Sequence, residues 1–285
     1  MAPELFAIRR ELLADATRSL RDAGLAEPRR EAVRLWSWLE RVPAAAVPPD
    51  DGALISPERS AEFLAAVARR AAGEPLAHVT GWAGFRHLTL MSDQRALIPR
   101  PETEGLVDLL LARTRTGRVA DVGTGSGCIA LSLALEGTFD QVLGIDLSAE
   151  ALALARENRR ETAARVALIR GDLTNSLAAR SLDALVSNPP YLTAAEYGAL
   201  DPSVREWEPE LALSGGPDGL EAIERLLVEG RRVLRPGSWL ALEVDESRAG
   251  QCAARAGALG YTEVAIHTDL FGRERFLLAR RSDAE

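Results

Sequence analysis

The feature that most constrains the fold of this chain is an alternation of strand-like and helix-like segments that begins at residue 117. Short apolar runs alternate with longer amphipathic stretches, a pattern typical of a mostly parallel sheet with helices on both faces. Only residues 268–274 separate the last two predicted strands, which is too short for a helical crossover. We therefore expect a seven-stranded sheet whose last two strands pair antiparallel at one edge. The predicted strands are 118–123, 141–146, 166–170, 183–187, 238–244, 261–267 and 275–280, and the predicted helices are 127–135, 148–160, 217–234 and 247–258.

The first part of the chain has an all-helical pattern instead. Residues 3–23 place apolar side chains at spacings of three and four, which gives one apolar stripe on a helix. Pro28 opens a second predicted helix that runs to about residue 40, and a third begins at Pro57. These helices predict a small bundle over residues 1–75.

The stretch between this bundle and the alternating region is expected to be extended. Residues 76–100 contain two short segments with aromatic side chains, 78–82 and 85–90, which predict a β-hairpin linker between two domains. A helix is predicted over residues 102–113. We therefore expect the second domain to span residues 101–285.

The charge balance and hydropathy exclude several classes of partner. The net charge is −8, and beyond residue 80 the chain carries 23 arginines against 30 acidic residues. Because nucleic acids are bound largely by neutralising their phosphates, this balance disfavours a stable nucleic-acid partner. No charge-free apolar run approaches the ~20 residues that a membrane span needs, and the first residues do not resemble a secretory signal. We expect a cytoplasmic, monomeric protein that contacts no membrane.

Residue types that bind metals or form disulfides are few and scattered. Cys128 and Cys252 form no C-x-x-C pair, and His78, His87 and His267 have no ligand spacing. We therefore predict no disulfide and no metal site.

A glycine-rich segment, D-V-G-T-G-S-G at 121–127, lies where the first strand of the alternating region gives way to a helix. Glycines there let the backbone turn tightly and approach a ligand without a Cβ collision. Cys128 stands where the dinucleotide fingerprint G-x-G-x-x-G has its third glycine, so the loop departs from that fingerprint. The candidate cofactor-binding residues of this loop are Gly123, Thr124, Gly125, Ser126 and Gly127.

Acidic residues end the next two predicted strands. Asp146 is placed to accept hydrogen bonds from both hydroxyls of an adenosine ribose. The alternative interpretation is that Asp146 is the N-cap of the next helix, a role that Ser148 also fills. Asp172, followed by Leu173, is placed to reach an adenine amino group, although a plain turn residue is nearly as good an explanation. Carboxylates in this cleft suit a cofactor that carries a positive sulfonium and no phosphate. We therefore expect S-adenosylmethionine.

The segment S-N-P-P-Y at 187–191 follows the fourth predicted strand, at the sheet edge where ligands bind in open α/β proteins. The two prolines predict a rigid, exposed loop. The Asn188 side-chain oxygen and the Pro189 carbonyl are hydrogen-bond acceptors, and Tyr191 offers a flat face to a planar group. Two acceptors suit one NH₂ group of a planar amide or aromatic amine, whose methylation needs positioning rather than a strong base. Asn188, Pro189 and Tyr191 are the candidate catalytic residues. These three and Pro190 are the candidate substrate-binding residues, and Asn188 is also a candidate cofactor contact.

Five segments of the chain together match one enzyme family. They are I-P-R-P-E-T-E at 98–104, D-V-G-T-G-S-G-C-I-A-L at 121–131, V-S-N-P-P-Y at 186–191, W-E-P-E-L-A-L at 207–213 and D-L-F-G-R-E-R at 269–275. Over essentially its whole length the chain resembles the bacterial peptide chain release factor N5-glutamine methyltransferases, the HemK-type family. The expected fold class is accordingly α/β, a class I methyltransferase Rossmann-like seven-stranded sheet with an antiparallel last strand, plus the N-terminal helical bundle.

The resemblance implies a substrate and a separate role for each of the two domains. In the family, N-P-P-Y holds the side-chain amide of the glutamine in the Gly-Gly-Gln motif of class 1 release factors, and the N-terminal domain helps to dock that protein. Trp207 stands where the family usually has phenylalanine, and Leu173 stands where many members place an aromatic residue against the adenine. Arg100, Glu102 and Glu104 invite a catalytic reading, but the dipole of the helix that follows explains the two acids, and a role in shaping the pocket is favoured.

Three alternatives to this function remain open from the sequence. The same core serves glutamine methylation of a ribosomal protein. N-P-P-Y also permits adenine-N6 methylation of nucleic acid, although the chain has no recognisable target-recognition domain. A cofactor-binding module without catalysis is the last, and the presence of Asn188 and Tyr191 argues against it.

Overall fold

The computed structural model of the chain describes residues 6–48 and 52–283. Its backbone contacts divide the chain into two compact units. The first contains the residues up to 81 together with 202–207, and the second contains 82–201 together with the residues from 208 onward. None of the helices in these described parts is long and apolar enough to cross a membrane.

The first unit is a small helical bundle. Its core holds Trp36 and Phe63, both fully buried, with their rings packed edge to face at a centroid distance of 4.8 Å. Pro28 is the first residue of its helix, as predicted, because a proline has no N–H to leave unpaired there. The helices of this unit are Arg9–Asp22, Pro28–Glu40, Pro57–Ala71, Leu76–Thr80 and Pro202–Arg205.

Two predictions for this region are corrected. The first helix begins at Arg9, because Ala7–Ile8 (β1) pairs antiparallel with Leu54–Ile55 (β2); residues 3–5 of the predicted helix lie outside the described part. The extended segment predicted at 78–82 is instead mostly the helix Leu76–Thr80, which buries His78 and Val79. Gly81 ends it in the left-handed region at φ 79°.

The second unit begins with a β-hairpin. Trp82–Phe85 (β3) pairs antiparallel with Leu88–Met91 (β4), so the predicted hairpin is present but starts after Gly81. A single 3₁₀ turn, Pro101–Thr103, then leads into the helix Glu104–Leu111.

Seven strands form the central sheet of the second unit. The last strand runs antiparallel to both of its neighbours and the other pairs are parallel, which confirms the expected reversal at one edge. The strands are Arg118–Val122 (β5), Gln141–Asp146 (β6), Val166–Arg170 (β7), Leu182–Ser187 (β8), Leu234–Glu243 (β9), Tyr261–Thr268 (β10) and Glu274–Arg281 (β11). Their order across the sheet is β10-β11-β9-β8-β5-β6-β7.

Strand β9 starts earlier than residue 238, where we predicted it. Leu234 already pairs with Leu182, and an irregularity in the register follows before Ala184 pairs with Trp239. The intervening Pro236-Gly237 removes one ladder donor and supplies a positive φ of 78°, which explains why the sequence pattern starts at residue 238.

Helices cover both faces of this sheet and bury its interior strands. Ile223 and Leu227 pack on one face, and Leu110 and Leu131 on the other, in two separate apolar clusters. Because both faces are occupied, the loops at the carboxyl ends of the parallel strands are the places left for a ligand. The covering helices include Cys128–Glu136, Ala149–Thr162, Glu221–Val233 and Ala249–Ala258, and a shorter helix spans Ala194–Gly198.

Candidate active site

The glycine-rich loop connects β5 to the helix Cys128–Glu136. Gly123, Gly125 and Gly127 have φ values of 72°, 54° and 87°, a region that residues with a Cβ rarely adopt. The N–H groups of Gly123 and Thr124 donate to the Ile145 carbonyl at 2.8 and 2.9 Å. The loop is therefore tied directly to the end of β6, and its sequence is explained by its backbone.

A buried carboxylate supports this loop from below. Asp121 is fully buried; its Oδ2 accepts from the Thr124 hydroxyl at 2.6 Å and from the Ala130 N–H at 3.1 Å. Within the described residues its Oδ1 has no hydrogen-bond partner. Burial raises the pKa of Asp121 to about 7, an effect that the Thr124 and Ala130 hydrogen bonds oppose. We did not predict a role for Asp121 from the sequence. The one indication there was an acidic residue at a position expected to be buried.

Asp146 ends β6 and faces the same cleft. Its Oδ2 accepts from the Gly125 N–H at 2.8 Å and its Oδ1 accepts from the Ser148 N–H at 2.9 Å. Burial raises the pKa of Asp146, while these backbone donors lower it. Because a carboxylate has about four acceptor positions, each oxygen keeps capacity for one further donor. Ser148 caps the next helix by accepting from Ala151, so Asp146 is not needed as the cap.

Asp172 and Leu173 lie beyond the end of β7. Asp172 Oδ2 accepts from Arg225 Nη2 at 2.8 Å, and both side chains are about half exposed. Leu173 adopts a positive φ of 47° and packs against the apolar cluster on one face of the sheet. Both residues line the cleft, so the structure brings them together with Asp146.

These loops enclose a cavity of about 330 Å³. That volume lies within the range of about 300–1,000 Å³ that is usual for small-molecule sites. Among the described residues that line it are three arginines, and each is ion-paired: Arg95 with Asp93 and Glu157, Arg100 with Glu208, and Arg225 with Asp172. The cleft therefore presents carboxylates without an uncompensated cation, which fits a positively charged ligand and disfavours a phosphate.

The segment Asn188–Tyr191 follows β8 and closes one side of the cavity. Asn188 and Pro190 line the cavity, whereas Pro189 is buried and Tyr191 is half-buried. The prediction of an exposed loop is therefore wrong, because the loop is packed. Its predicted rigidity stays a prediction. Burial raises the pKa of Tyr191, so its hydroxyl stays protonated.

The packing around this loop comes from a glycine pair that the sequence reading missed. Leu192 and Ser214 form a parallel bridge, and the Gly215 N–H donates to the Leu192 carbonyl at 2.8 Å. A Cβ on Gly215 would lie 2.7 Å from the Pro190 carbonyl oxygen, and one on Gly219 would lie 2.3 Å from the Tyr191 carbonyl oxygen. The glycines therefore allow two backbone segments to touch. In the sequence, the run Ser214-Gly215-Gly216 directly after W-E-P-E-L-A-L was the feature that could have indicated this close packing.

A polar chain behind the loop was also missed. Asn188 Nδ2 donates to Thr103 Oγ1 at 3.2 Å, and that hydroxyl donates to Glu243 Oε2 at 2.7 Å. Thr103 and Glu243 are both almost fully buried. Burial raises the pKa of Glu243, against the Thr103 hydrogen bond and the charge of Arg275. No local pattern reveals these contacts, since they join residues 85 and 140 positions apart.

Two of the three charged residues of I-P-R-P-E-T-E, Arg100 and Glu104, have hydrogen-bond partners. Arg100 Nη2 donates to Glu208 Oε1 at 2.6 Å, and Glu208 Oε2 also accepts from the Ile98 N–H. Glu104 Oε1 accepts from the Arg86 N–H at 2.9 Å. The two contacts with Glu208 join the family segments at 98–104 and 207–213. A role of Arg100 and Glu104 in shaping the pocket stays a prediction.

No group of three or more potential metal-ligating side chains occurs among residues 6–48 and 52–283. Cys128 and Cys252 are free, and burial raises the pKa of the Cys128 thiol to about 12, so that thiol is protonated at neutral pH.

Comparison with known proteins connects this geometry to a family. Residues 11–81 match the model of the PrmC N-terminal domain, and residues 101–201 match that of the methyltransferase small domain. The release factor glutamine methyltransferase of Deinococcus radiodurans is 41% identical over 279 residues, covering 96% of this chain and 98% of that protein. The namesake enzyme of Moorella thermoacetica is also 41% identical, covering 96% and 99%.

The chain belongs to the release factor glutamine methyltransferase family. As a member of that family it is an enzyme of the methyltransferase class, as its sequence predicted. The same fold occurs in the crystal structure of a methyltransferase from Pyrococcus furiosus, with a TM-score of 0.52 and 20% identity over 79% of this chain and 98% of that one. This similarity confirms the methyltransferase fold class.

Proposed function

We propose that this chain transfers a methyl group from S-adenosylmethionine to N5, the side-chain amide nitrogen, of the glutamine in the Gly-Gly-Gln motif of class 1 peptide chain release factors. The observation that carries the proposal is the 41% identity to enzymes named release factor glutamine methyltransferase over 96% of the chain. Because the identity extends through both units, it supports a shared protein substrate as well as shared chemistry.

The cofactor side of the cavity fits S-adenosylmethionine by its charge and its acceptors. Asp146 keeps one acceptor position on each oxygen, which suits the two neighbouring hydroxyls of a ribose. Gly123, Thr124, Gly125 and Ser126 line the cavity that would hold the cofactor. Asp172 and Leu173 line it as well, and we assign them to the adenine. When bound, the cofactor supplies an electrophilic methyl group on a positive sulfur.

The amide side of the cavity fits a carboxamide NH₂ group. Within the described residues, no hydrogen bond ends on Asn188 Oδ1 or on the Pro189 carbonyl. Both oxygens have unused lone pairs, and we assign them as the acceptors of one N–H each from a substrate amide, with Pro190 and Tyr191 supporting that planar group. Asn188 also lies on the cofactor side of this loop, since it lines the same cavity as Asp146.

The work of these residues is to orient the nitrogen rather than to deprotonate it first. An amide lone pair is delocalised, so holding both N–H groups fixes the direction in which the nitrogen meets the methyl group. Polar groups arranged in advance also stabilise the positive charge that develops on the nitrogen. Tyr191, whose raised pKa keeps it protonated, does not act as the base. Once the N–C bond has formed and the sulfur–methyl bond has broken, the nitrogen would lose its extra proton to solvent water.

The test compares four acceptors under identical conditions with labelled S-adenosylmethionine. They are a purified class 1 release factor, its variant with the Gly-Gly-Gln glutamine replaced by alanine, a large-subunit ribosomal protein and duplex DNA. Transfer to the intact release factor alone is expected. Equal transfer to the alanine variant would reject the assignment of the glutamine, and transfer to the ribosomal protein or the DNA alone would replace the proposed substrate.

A further inference from the structure

Two family segments and the end of β9, none with a role in the proposed chemistry, meet behind Asn188. Thr103 comes from I-P-R-P-E-T-E, Glu243 ends β9, and Arg275 comes from D-L-F-G-R-E-R. Arg275 Nη1 lies 3.9 Å from Glu243 Oε1, and Arg275 Nε donates to Asp269 Oδ2 at 2.8 Å. The result is a chain of polar contacts that runs from Asn188 to a fixed turn.

The single proton of the Thr103 hydroxyl determines the direction of this chain. Glu243 Oε2 accepts the Thr103 proton at 2.7 Å. Burial favours the protonated acid, but the Arg275 guanidinium and the donors Thr103 and Tyr191 around this side chain favour the carboxylate, which only accepts. The Thr103 oxygen is then left with lone pairs and can only accept from its second partner, 3.2 Å away. That partner must be the NH₂ end of the Asn188 carboxamide. The opposite orientation would place the Asn188 oxygen against an oxygen that has no proton to share.

We propose that Thr103 and Glu243 are positioning residues that fix which end of the Asn188 carboxamide is free to bind the substrate. This inference rests on the proposed function, in which Asn188 Oδ1 accepts a substrate N–H. An asparagine turned the other way would present two donors to an NH₂ group, which has no acceptor to offer them. Thr103 borders the cavity and Glu243 lies behind it, and the role proposed for both is exerted through Asn188.

The burial of these two residues strengthens the effect. Both side chains are about 2% exposed, so water does not compete for their hydrogen bonds. Arg275 supplies the positive charge that keeps a carboxylate tolerable there, and Asp269 orients Arg275. The Tyr191 hydroxyl approaches Glu243 Oε1 at 3.4 Å, so the same carboxylate also borders the tyrosine of the loop.

The test uses three variants of the complete enzyme. Thr103→Val keeps the size of the side chain but removes the hydroxyl, and Thr103→Ser restores the hydroxyl. Glu243→Gln replaces a partner that only accepts with a carboxamide that can donate or accept. We expect Thr103→Val to lower kcat for release-factor methylation roughly 10- to 100-fold, as small misplacements of an orienting group do. Thr103→Ser should recover most of that loss, and Glu243→Gln should fall between the two. Cofactor affinity should stay within about twofold of wild type in all three, because none of them alters Asp146 or the glycine loop.

Thr174→Val is the matched control. Thr174 is fully buried, and its hydroxyl donates to Glu229 at 2.8 Å, so the substitution removes an equivalent threonine–glutamate bond elsewhere in the same unit. Measured at saturating cofactor, its kcat should remain near that of wild type. A loss equal to that of Thr103→Val would mean that general destabilisation explains both variants.

A second measurement separates this inference from the proposed function. The side-chain NH₂ of Asn188 can be followed by ¹⁵N nuclear magnetic resonance without any substrate. One of its protons should exchange slowly in the wild type and in Thr103→Ser, and rapidly in Thr103→Val. If the wild type methylates no release factor but this exchange pattern holds, the proposed substrate is wrong and the positioning stands. If Thr103→Val changes neither kcat nor the exchange of Asn188, the positioning is wrong.

Discussion

The two sides of the cavity are held in different ways. On the cofactor side, the glycine loop and Asp146 are joined by backbone donors, such as Gly125 to Asp146 across 21 residues. On the amide side, Asn188 is held by Thr103, 85 residues earlier, and the loop is packed by Gly215 from a later segment. The first side is built locally and the second depends on tertiary contacts.

This difference suggests a separation of functions. On the cofactor side, the only side chain needed to hold the backbone donors in position is the carboxylate that accepts from them. The amide side depends on several side chains, each of which fixes another. Substitutions on the amide side should therefore reduce turnover with little effect on cofactor binding, and those on the cofactor side should do the reverse.

The largest expected effect comes from Asn188→Ala. Removing an acceptor that orients the substrate amide should lower kcat by about 1,000-fold, within the range seen when an orienting or stabilising group is deleted. Cofactor affinity measured by titration calorimetry should change by less than about threefold, since Asp146 and the glycine loop are intact. A variant that binds cofactor poorly and retains turnover would reverse the assignment of the two sides.

Asp121→Asn tests the support beneath the cofactor loop through its pH dependence. The folded-state pKa of Asp121, about 7, lies above its ordinary value, so the folded state binds more protons between pH 4 and 7. The free energy of unfolding of the wild type should therefore fall as the pH rises through that window. Asparagine has no charge to desolvate, so the variant should lose this pH-dependent part of the free energy of unfolding, on the order of 4 kcal/mol. If the free energy of unfolding, measured with urea, had the same pH dependence in both proteins, a raised pKa of Asp121 would be contradicted.

Gly215→Ala tests the packing of the amide side. A new Cβ would lie 2.7 Å from the backbone of Pro190 and Tyr191, so the loop must shift. We expect kcat/KM for the release factor to fall roughly 30-fold, with cofactor affinity retained. Gly250→Ala is the control, because a Cβ there meets nothing within 4 Å. If both variants behave like the wild type, the close approach of the two backbones has no functional role.

Asp146→Asn should give the smallest of these effects and the opposite signature. Losing a charged acceptor for the ribose should weaken cofactor binding roughly 10-fold, with kcat at saturating cofactor nearly unchanged. Asp140→Asn, an exposed acid at the other end of the same strand, serves as the control in titration calorimetry. A fall in kcat at saturation with normal affinity would place Asp146 on the amide side.

The parts of the fold and site that the sequence predicted are those with a local cause. The bounds of β6 and β7 agree with the structure because each is a short apolar run, and Asp146 was found because it ends one of them. The reversed last strand was predicted from the short connection before it. The cofactor side could be read in the same way, from the spacing of glycines and acids along the chain.

What the sequence could not predict depends on distant partners. His78 and Val79 adopt a helix because the first unit buries them, although the local pattern favours an extended segment. Thr103 and Glu243 have no distinctive spacing, and only the folded chain brings them to Asn188. Pro189 was expected to be exposed because prolines usually mark surface turns, but a packed glycine segment covers this loop.

We propose that the Asn188 loop directs a methyl group to one side-chain amide nitrogen of a protein glutamine. Tandem mass spectrometry of a release factor treated with the enzyme and S-adenosylmethionine tests it most directly. We expect a single added methyl group on the side chain of the Gly-Gly-Gln glutamine, and none when the enzyme carries Asn188→Ala. A methyl group on another residue, or the same modification with Asn188→Ala, would contradict it.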